Sequence, residues 1–113
     1  MKDRIFSVEE TAERSEQSRY LHSMFSQIAK DYGYAIAFHG SGVRDCDLIA
    51  VPWTDSAVSA EELVVGIASR MILTLGHGAY DKPHGRFAIA MWDKDYPDHQ
   101  IDFSIMPRKI ADA

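Results

Sequence analysis

The sequence predicts an α+β fold: a mixed or antiparallel sheet of about four to five strands with two helices packed on one face. Three observations predict it. Two Ser-x-x-Glu capping boxes each precede apolar residues at helical spacing. Several short apolar segments read as strands, some with period-two alternation. The order is helix, strand, strand, helix, strand, strand, which suits a two-layer packing.

The first box is Ser7-Val8-Glu9-Glu10, and it predicts a helix from about Val8 to Asp31. Leu21, Met24, Phe25, Ile28 and Ala29 supply its apolar stripe. Its first half, Thr11 to Arg19, is mostly polar and is expected to be largely solvated. Gly33 is the stop signal. Tyr34 to His39 reads as a strand with Tyr34, Ile36 and Phe38 on one face. The short connection through Gly40-Ser41-Gly42 to a second strand, Asp45 to Val51, predicts an antiparallel pair, and Pro52 ends it.

The second box, Ser59-Ala60-Glu61-Glu62, starts a helix with Leu63, Val64, Ile67, Ala68 and Met71 on one stripe, ending near Leu73 to Gly76. Gly76-His77-Gly78 and Asp81-Lys82-Pro83-His84-Gly85 read as loop, with a short strand around Leu73 to Tyr80 as the alternative. Phe87 to Trp92 and Ile101 to Met106 are the last two strands, joined by the polar turn Asp93 to Asp98.

The 113 residues fit one domain, 1–113, divided into an N-terminal helix in 1–33 and a sheet with one helix in 34–113. Hydrophobic residues make up 46% of the chain, which allows a real core. The net charge of -5 argues against a general nucleic-acid binder, and direct DNA binding is not expected. A single cysteine, Cys46, excludes an internal disulfide and fits a reducing compartment. With no secretory signal and no membrane span in the sequence, a cytoplasmic location is expected.

The candidate chemistry centres on Gly40 to Asp47. Asp45 and Asp47, one residue apart on a strand, are expected to point to the same face. Two carboxylates that close repel each other, and a hard cation such as Mg²⁺ relieves the repulsion. Asp102 faces away from the apolar side of the last strand. If that strand lies beside Asp45 to Val51, three carboxylates converge, as phosphoryl-transfer sites require. Gly40 and Ser41 expose backbone N–H groups and a hydroxyl to phosphate oxygens, and Arg44, Lys82, His84 and Arg86 add positive charge.

Taken singly, each signal has a plainer reading. Asp-x-Asp at a turn is commonly a solvated edge, Gly40-Ser41-Gly42 a hairpin turn, and Asp102 an exposed strand residue. His39 and His84 lack the paired spacing of metal ligands. Cys46 alternates with the two aspartates and reads as a small core residue.

Gly40-Ser41, then Asp45-x-Asp47, then Asp102 on a later strand resembles the nucleotidyltransferase (polymerase β-like) superfamily. The resemblance implies that fold, with Gly40 and Ser41 on phosphates, Asp45 and Asp47 on Mg²⁺, and Asp102 as third carboxylate, and a nucleoside triphosphate as substrate. Phe38 to Ser41, Arg44 to Trp53, Lys82 to Arg86 and Ile101 to Arg108 also resemble a set of small phage proteins, which implies phage or prophage origin. Three functions stand as expectations. One is a minimal nucleotidyltransferase-like protein with a magnesium–nucleotide site. Another is a non-catalytic phage protein that binds and inhibits a host protein or defence complex. The third is a protein that binds or sequesters a small nucleotide.

Overall fold

Ser7 starts the first helix as its sequence requires. Its hydroxyl accepts the Glu10 N–H at 3.0 Å and its own N–H donates to the Glu10 carboxylate at 2.9 Å, satisfying two backbone donors at the helix start. The computed structural model describes residues 5–79 and 82–108. In it the helix, α1, spans Val8–Ala29. A 3₁₀ turn, Lys30–Tyr32, and Gly33 at φ 87° then end it.

Strand β1 (Tyr34–His39) pairs antiparallel with β2 (Cys46–Pro52), as the short connection predicts. Helix α2 (Ala60–Met71) follows, with the Ser59 hydroxyl accepting the Glu62 N–H at its N-terminus. It ends at Met71, the last residue of its apolar stripe and short of the expected Leu73 to Gly76, because Ile72 turns into the left-handed region at φ 58°. Three strands complete the chain: β3 (Leu73–Ala79), β4 (Phe87–Asp93) and β5 (Ile101–Ile105).

The sheet order is β1-β2-β5-β4-β3. The last strand therefore inserts between β2 and β4, parallel to the first and antiparallel to the second, which makes the sheet mixed. The segment Gly76-His77-Gly78, read as loop from its glycines, belongs to the edge strand β3 and carries a register shift against β4. The Tyr80 end of the expected strand lies outside the described residues.

Alternate residues of the central strands are buried: Cys46, Leu48 and Ala50 on β2, Ile101, Phe103 and Ile105 on β5, Ile89 and Met91 on β4. They form one core with Leu21, Phe25 and Ile28 of α1 and Leu63 and Ile67 of α2, so both helices cover the same face. Phe25 meets Phe103 edge-on, with ring centroids 5.1 Å apart. The intervening residues, among them Asp47, Ile49, Asp102 and Ser104, stay half-exposed on the uncovered face.

One expectation about α1 is corrected. Arg14 and Ser18, placed by their polarity in a solvated half of the helix, are buried. With Leu21, Phe25 and Ile28 they continue a single stripe at three- and four-residue spacing. Among the described residues no helix is long and apolar enough to cross a membrane.

Candidate functional site

Asp47 is the second residue of β2 and Asp102 the second of β5, and the parallel register sets them opposite each other. Their flanking residues Cys46, Leu48, Ile101 and Phe103 are buried, so both carboxylates emerge on the uncovered face. Burial pushes the Asp47 carboxyl above the ordinary carboxylate range. The Asp102 charge and a hydrogen bond between the two side chains push it the same way. Asp45 adds a smaller push, and the charge of His39, the cross-strand neighbour of Asp47, acts in the opposite direction. Gln100 Nε2 donates to Asp102 Oδ1 at 2.6 Å and fixes that carboxylate from the turn before β5.

Asp45 does not share the strand with Asp47. Strand β2 begins at Cys46, and Asp45 is the exposed last residue of the connection from β1. That connection holds Gly40 at φ 78° and Gly42 at φ 74° and contains no helix. The Ser41 hydroxyl accepts the Val43 N–H at 3.3 Å. A cavity of about 550 Å³ opens beside it, lined among others by Phe6, Thr11, Ser41, Arg44, Asp45 and Asp47. Phe6 forms an apolar wall, with the Arg14 and Arg44 guanidinium carbons 4.6 and 5.8 Å from its ring centre.

The connection is held from behind by α1. Arg14 Nε donates to the Val43 carbonyl, and its Nη2 donates to the carbonyls of Arg44 at 3.0 Å and Asp98 at 3.3 Å. Ser18 Oγ donates to the Gly42 carbonyl at 2.6 Å and lies 3.1 Å from His99 Nε2, while His99 Nδ1 lies 2.8 Å from the Gln17 amide oxygen. A Cβ on Gly42 would stand 2.7 Å from that of Ser18, so this position excludes any side chain. His99 is fully buried. Burial first and the Arg14 charge second hold its imidazole below the ordinary histidine range.

Arg14 and His99 thus tie the two chain segments that lead into Asp47 and Asp102 to one helix. Neither carries a sequence motif that points to the site. The signal that finds them is the continuation of the α1 stripe through Arg14 and Ser18.

The basic residues predicted to serve the phosphates separate in the structure. Arg44 lines the cavity beside Ser41. Lys82 instead lines a groove on the other side of Asp102. His84 is exposed in the turn Pro83–Gly85. Arg86 immediately precedes Phe87, which pairs with Ile105 at the opposite end of β5 from Asp102. His84 and Arg86 are therefore not brought to the Gly40–Ser41 turn. Cys46 is buried beneath the pair and donates to the Ser18 carbonyl at 3.8 Å, and burial raises its thiol to about 11.

Two facing carboxylates offer oxygen donors, the ligand type Mg²⁺ takes. The donor set therefore fits a hard divalent cation at Asp47 and Asp102. Among the described residues, no three His, Cys, Asp or Glu side chains already converge as a metal cluster.

No protein-family model matches the chain, and no curated protein matches it. Solved structures do. The Cid1 poly(U) polymerase with bound MgGTP superposes with a TM-score of 0.53 at 18% identity, covering 88% of this chain and 33% of that one. A Cid1 structure described for its RNA terminal uridylyl transferase activity gives 0.53 at 19% identity, covering 88% and 32%. A cytoplasmic RNA terminal U-transferase gives 0.51 at 15% identity, covering 88% and 31%. The chain has a nucleotidyltransferase-like fold and spans about a third of the length of these neighbours.

Proposed function

We propose that the protein binds a magnesium–nucleoside triphosphate at Asp47 and Asp102 and acts as a minimal nucleotidyltransferase. The observation that carries this reading is the register of β2 against β5, which pairs Asp47 with Asp102 beside the Ser41 turn and its cavity. The fold neighbours support it, since one of them is described as binding MgGTP.

In this reading Ser41, the backbone N–H groups of the turn and the Arg44 guanidinium hold phosphate oxygens. Asp47 and Asp102, with Asp45 close by, hold Mg²⁺. The ion would neutralise charge on the triphosphate and on the leaving pyrophosphate. An acceptor hydroxyl oxygen bonds to the α-phosphorus while the bond from that phosphorus to the pyrophosphate oxygen breaks. Its electron pair leaves with pyrophosphate, and Asp102 or water takes the hydroxyl proton. The resemblance of Phe38 to Ser41, Arg44 to Trp53, Lys82 to Arg86 and Ile101 to Arg108 to small phage proteins favours a phage or prophage source in this reading.

A second reading, nucleotide binding without turnover, is favoured by one observation: Asp45 lies off the strand, so the facing set is a pair. Calorimetric titration with ATP, GTP and UTP plus Mg²⁺, with Asp47→Asn alongside and a long incubation for product, tests both. Magnesium-dependent binding lost in the variant supports the site. Product formation then selects transfer, and its absence selects retention of the nucleotide. No magnesium-dependent binding, or equal binding by the variant, overturns both.

A further inference from the structure

The uncovered face carries a second groove on the other side of Asp102. We propose that this groove receives the acceptor of the transfer, a nucleotide whose hydroxyl reaches Asp102 and whose phosphate is held by His77 and Lys82. The inference rests on the reading of Asp47 and Asp102 given above.

The groove follows from register. Crossing the uncovered face, His39 pairs with Asp47, Asp47 with Asp102, and Asp102 with Ala90. On the next strand, β3, the register shifts between Leu75 and Gly78, so that Gly76 and His77 together oppose Ala90. Without the shift, period-two alternation would give the two residues opposite faces; with it, His77 lines the uncovered face beside Ala90.

A Cβ on Gly76 would stand 3.1 Å from the Ala90 carbonyl, a tight approach that leaves the glycine as part of a low floor. Two strand spacings separate Asp102 from His77, about 10 Å, and only the methyl of Ala90 stands between them. Ala88 and Ser104 extend the same low floor, and Lys82 closes one side. The result is an open groove of about 210 Å³ with a carboxylate at one wall and two basic side chains at the other.

A transfer needs two substrates on opposite sides of the reacting centre. The Ser41 cavity reaches the pair through Asp47 and this groove reaches it through Asp102, so donor and acceptor meet at the carboxylates. The width suits one nucleotide laid across small side chains. The chain's net charge of -5 opposes a long polyanion, so recognition is confined to a terminal nucleotide. A free mononucleotide and the end of an oligonucleotide share this chemistry.

The test uses uridine 5′-monophosphate and a single-stranded uridine tetranucleotide as probes, without triphosphate, followed by amide chemical shifts. A His77→Ala/Lys82→Ala double variant is compared with wild type, and both are titrated separately with Mg²⁺ and UTP. The expected result is shifts in Gly76 to Ala79 and Ala88 to Ala90. In the double variant, probe affinity falls at least tenfold while triphosphate affinity is kept. One or two phosphate contacts also predict a logarithmic salt slope of about -1. Equal affinity for the two probes assigns a free nucleotide, and tighter tetranucleotide binding assigns a strand end. Triphosphate binding with no probe binding at the groove, or probe affinity unchanged in the double variant, overturns the acceptor groove alone. Probe binding at β3 and β4 without triphosphate binding keeps the phosphate groove and overturns the transfer reading.

Discussion

Replacing Asp47 by Asn is expected to stabilise the fold while abolishing the site. Neighbouring strands lie about 4.8 Å apart, and at that distance two unit charges repel by roughly 3.5 kcal/mol at an effective dielectric of 20 and by roughly 0.9 kcal/mol in bulk water. Both side chains are half-exposed, so solvent screening puts the net cost near the lower figure, about 1 kcal/mol. An amide at position 47 removes this repulsion and supplies an N–H that can donate to the Asp102 carboxylate. For a chain of 113 residues the gain corresponds to a Tm about 4 °C higher at pH 7.5.

The pH dependence has a definite sign. The folded-state value of Asp47 lies above its ordinary 3.8. Below that ordinary value the carboxyl is protonated in both states and wild type and variant should coincide. As pH rises, the folded protein holds its proton longer than the unfolded chain, and wild type loses stability relative to the variant until the folded-state value is passed. The difference is then constant. Thermal unfolding followed by circular dichroism from pH 3.5 to 8 reads it directly. Added Mg²⁺ should raise the Tm of wild type and leave the variant unmoved. A variant less stable than wild type at neutral pH, or a difference independent of pH, would refute the repulsion on which the site is argued.

Arg14→Met should cost about 2–3 kcal/mol in denaturant titration, since three carbonyls lose a charged donor, and should weaken triphosphate binding further by releasing the Ser41 turn. His99 is held below the ordinary histidine value, so its contribution to stability is present above about pH 6.5 and is lost as pH falls from there through the folded value. His99→Gln should flatten the stability profile between pH 5 and 7. Gly42→Ala should destabilise by about 1–3 kcal/mol more than Gly40→Ala, because a Cβ at 42 overlaps Phe38 and Ser18 whereas at 40 its nearest contact is 3.7 Å away. Ile72→Gly should raise stability by up to about 1 kcal/mol, because the exposed isoleucine occupies a left-handed C-cap that favours glycine.

The elements that hydroxyl caps and alternation specify are visible in the sequence. Ser7 and Ser59 mark both helix starts because a cap is a local bargain between residues three apart, and Tyr34 to His39 alternates because one face meets the core. The strand β3 is harder to read. It lies at a sheet edge, contains two glycines and shifts register, so neither alternation nor β-branched residues announce it. Asp45 is misplaced by the same local logic: period two carries it onto the strand, but the turn from Gly40 delays the strand until Cys46. Arg14 and Ser18 look solvated in the sequence because polarity does not tell a side chain facing water from one facing backbone carbonyls.

The pairing of Asp47 with Asp102 is the least local feature, and its support explains the buried polar residues of α1. The two aspartates enter a common sheet from segments far apart in the chain, and each follows an irregular connection. Repulsion between them would favour any small displacement of either connection. Carbonyls of Gly42, Val43 and Arg44 on one side, and of Asp98 on the other, are held by Ser18 and Arg14, with His99 packed against Ser18. A hydrophobic surface on α1 at these positions would bury the same area but leave those carbonyls without donors. The helix therefore carries polar groups into its buried face where the chain ends of the pair must be fixed, and apolar groups from Leu21 onward, where only packing against Phe103 and its neighbours is required.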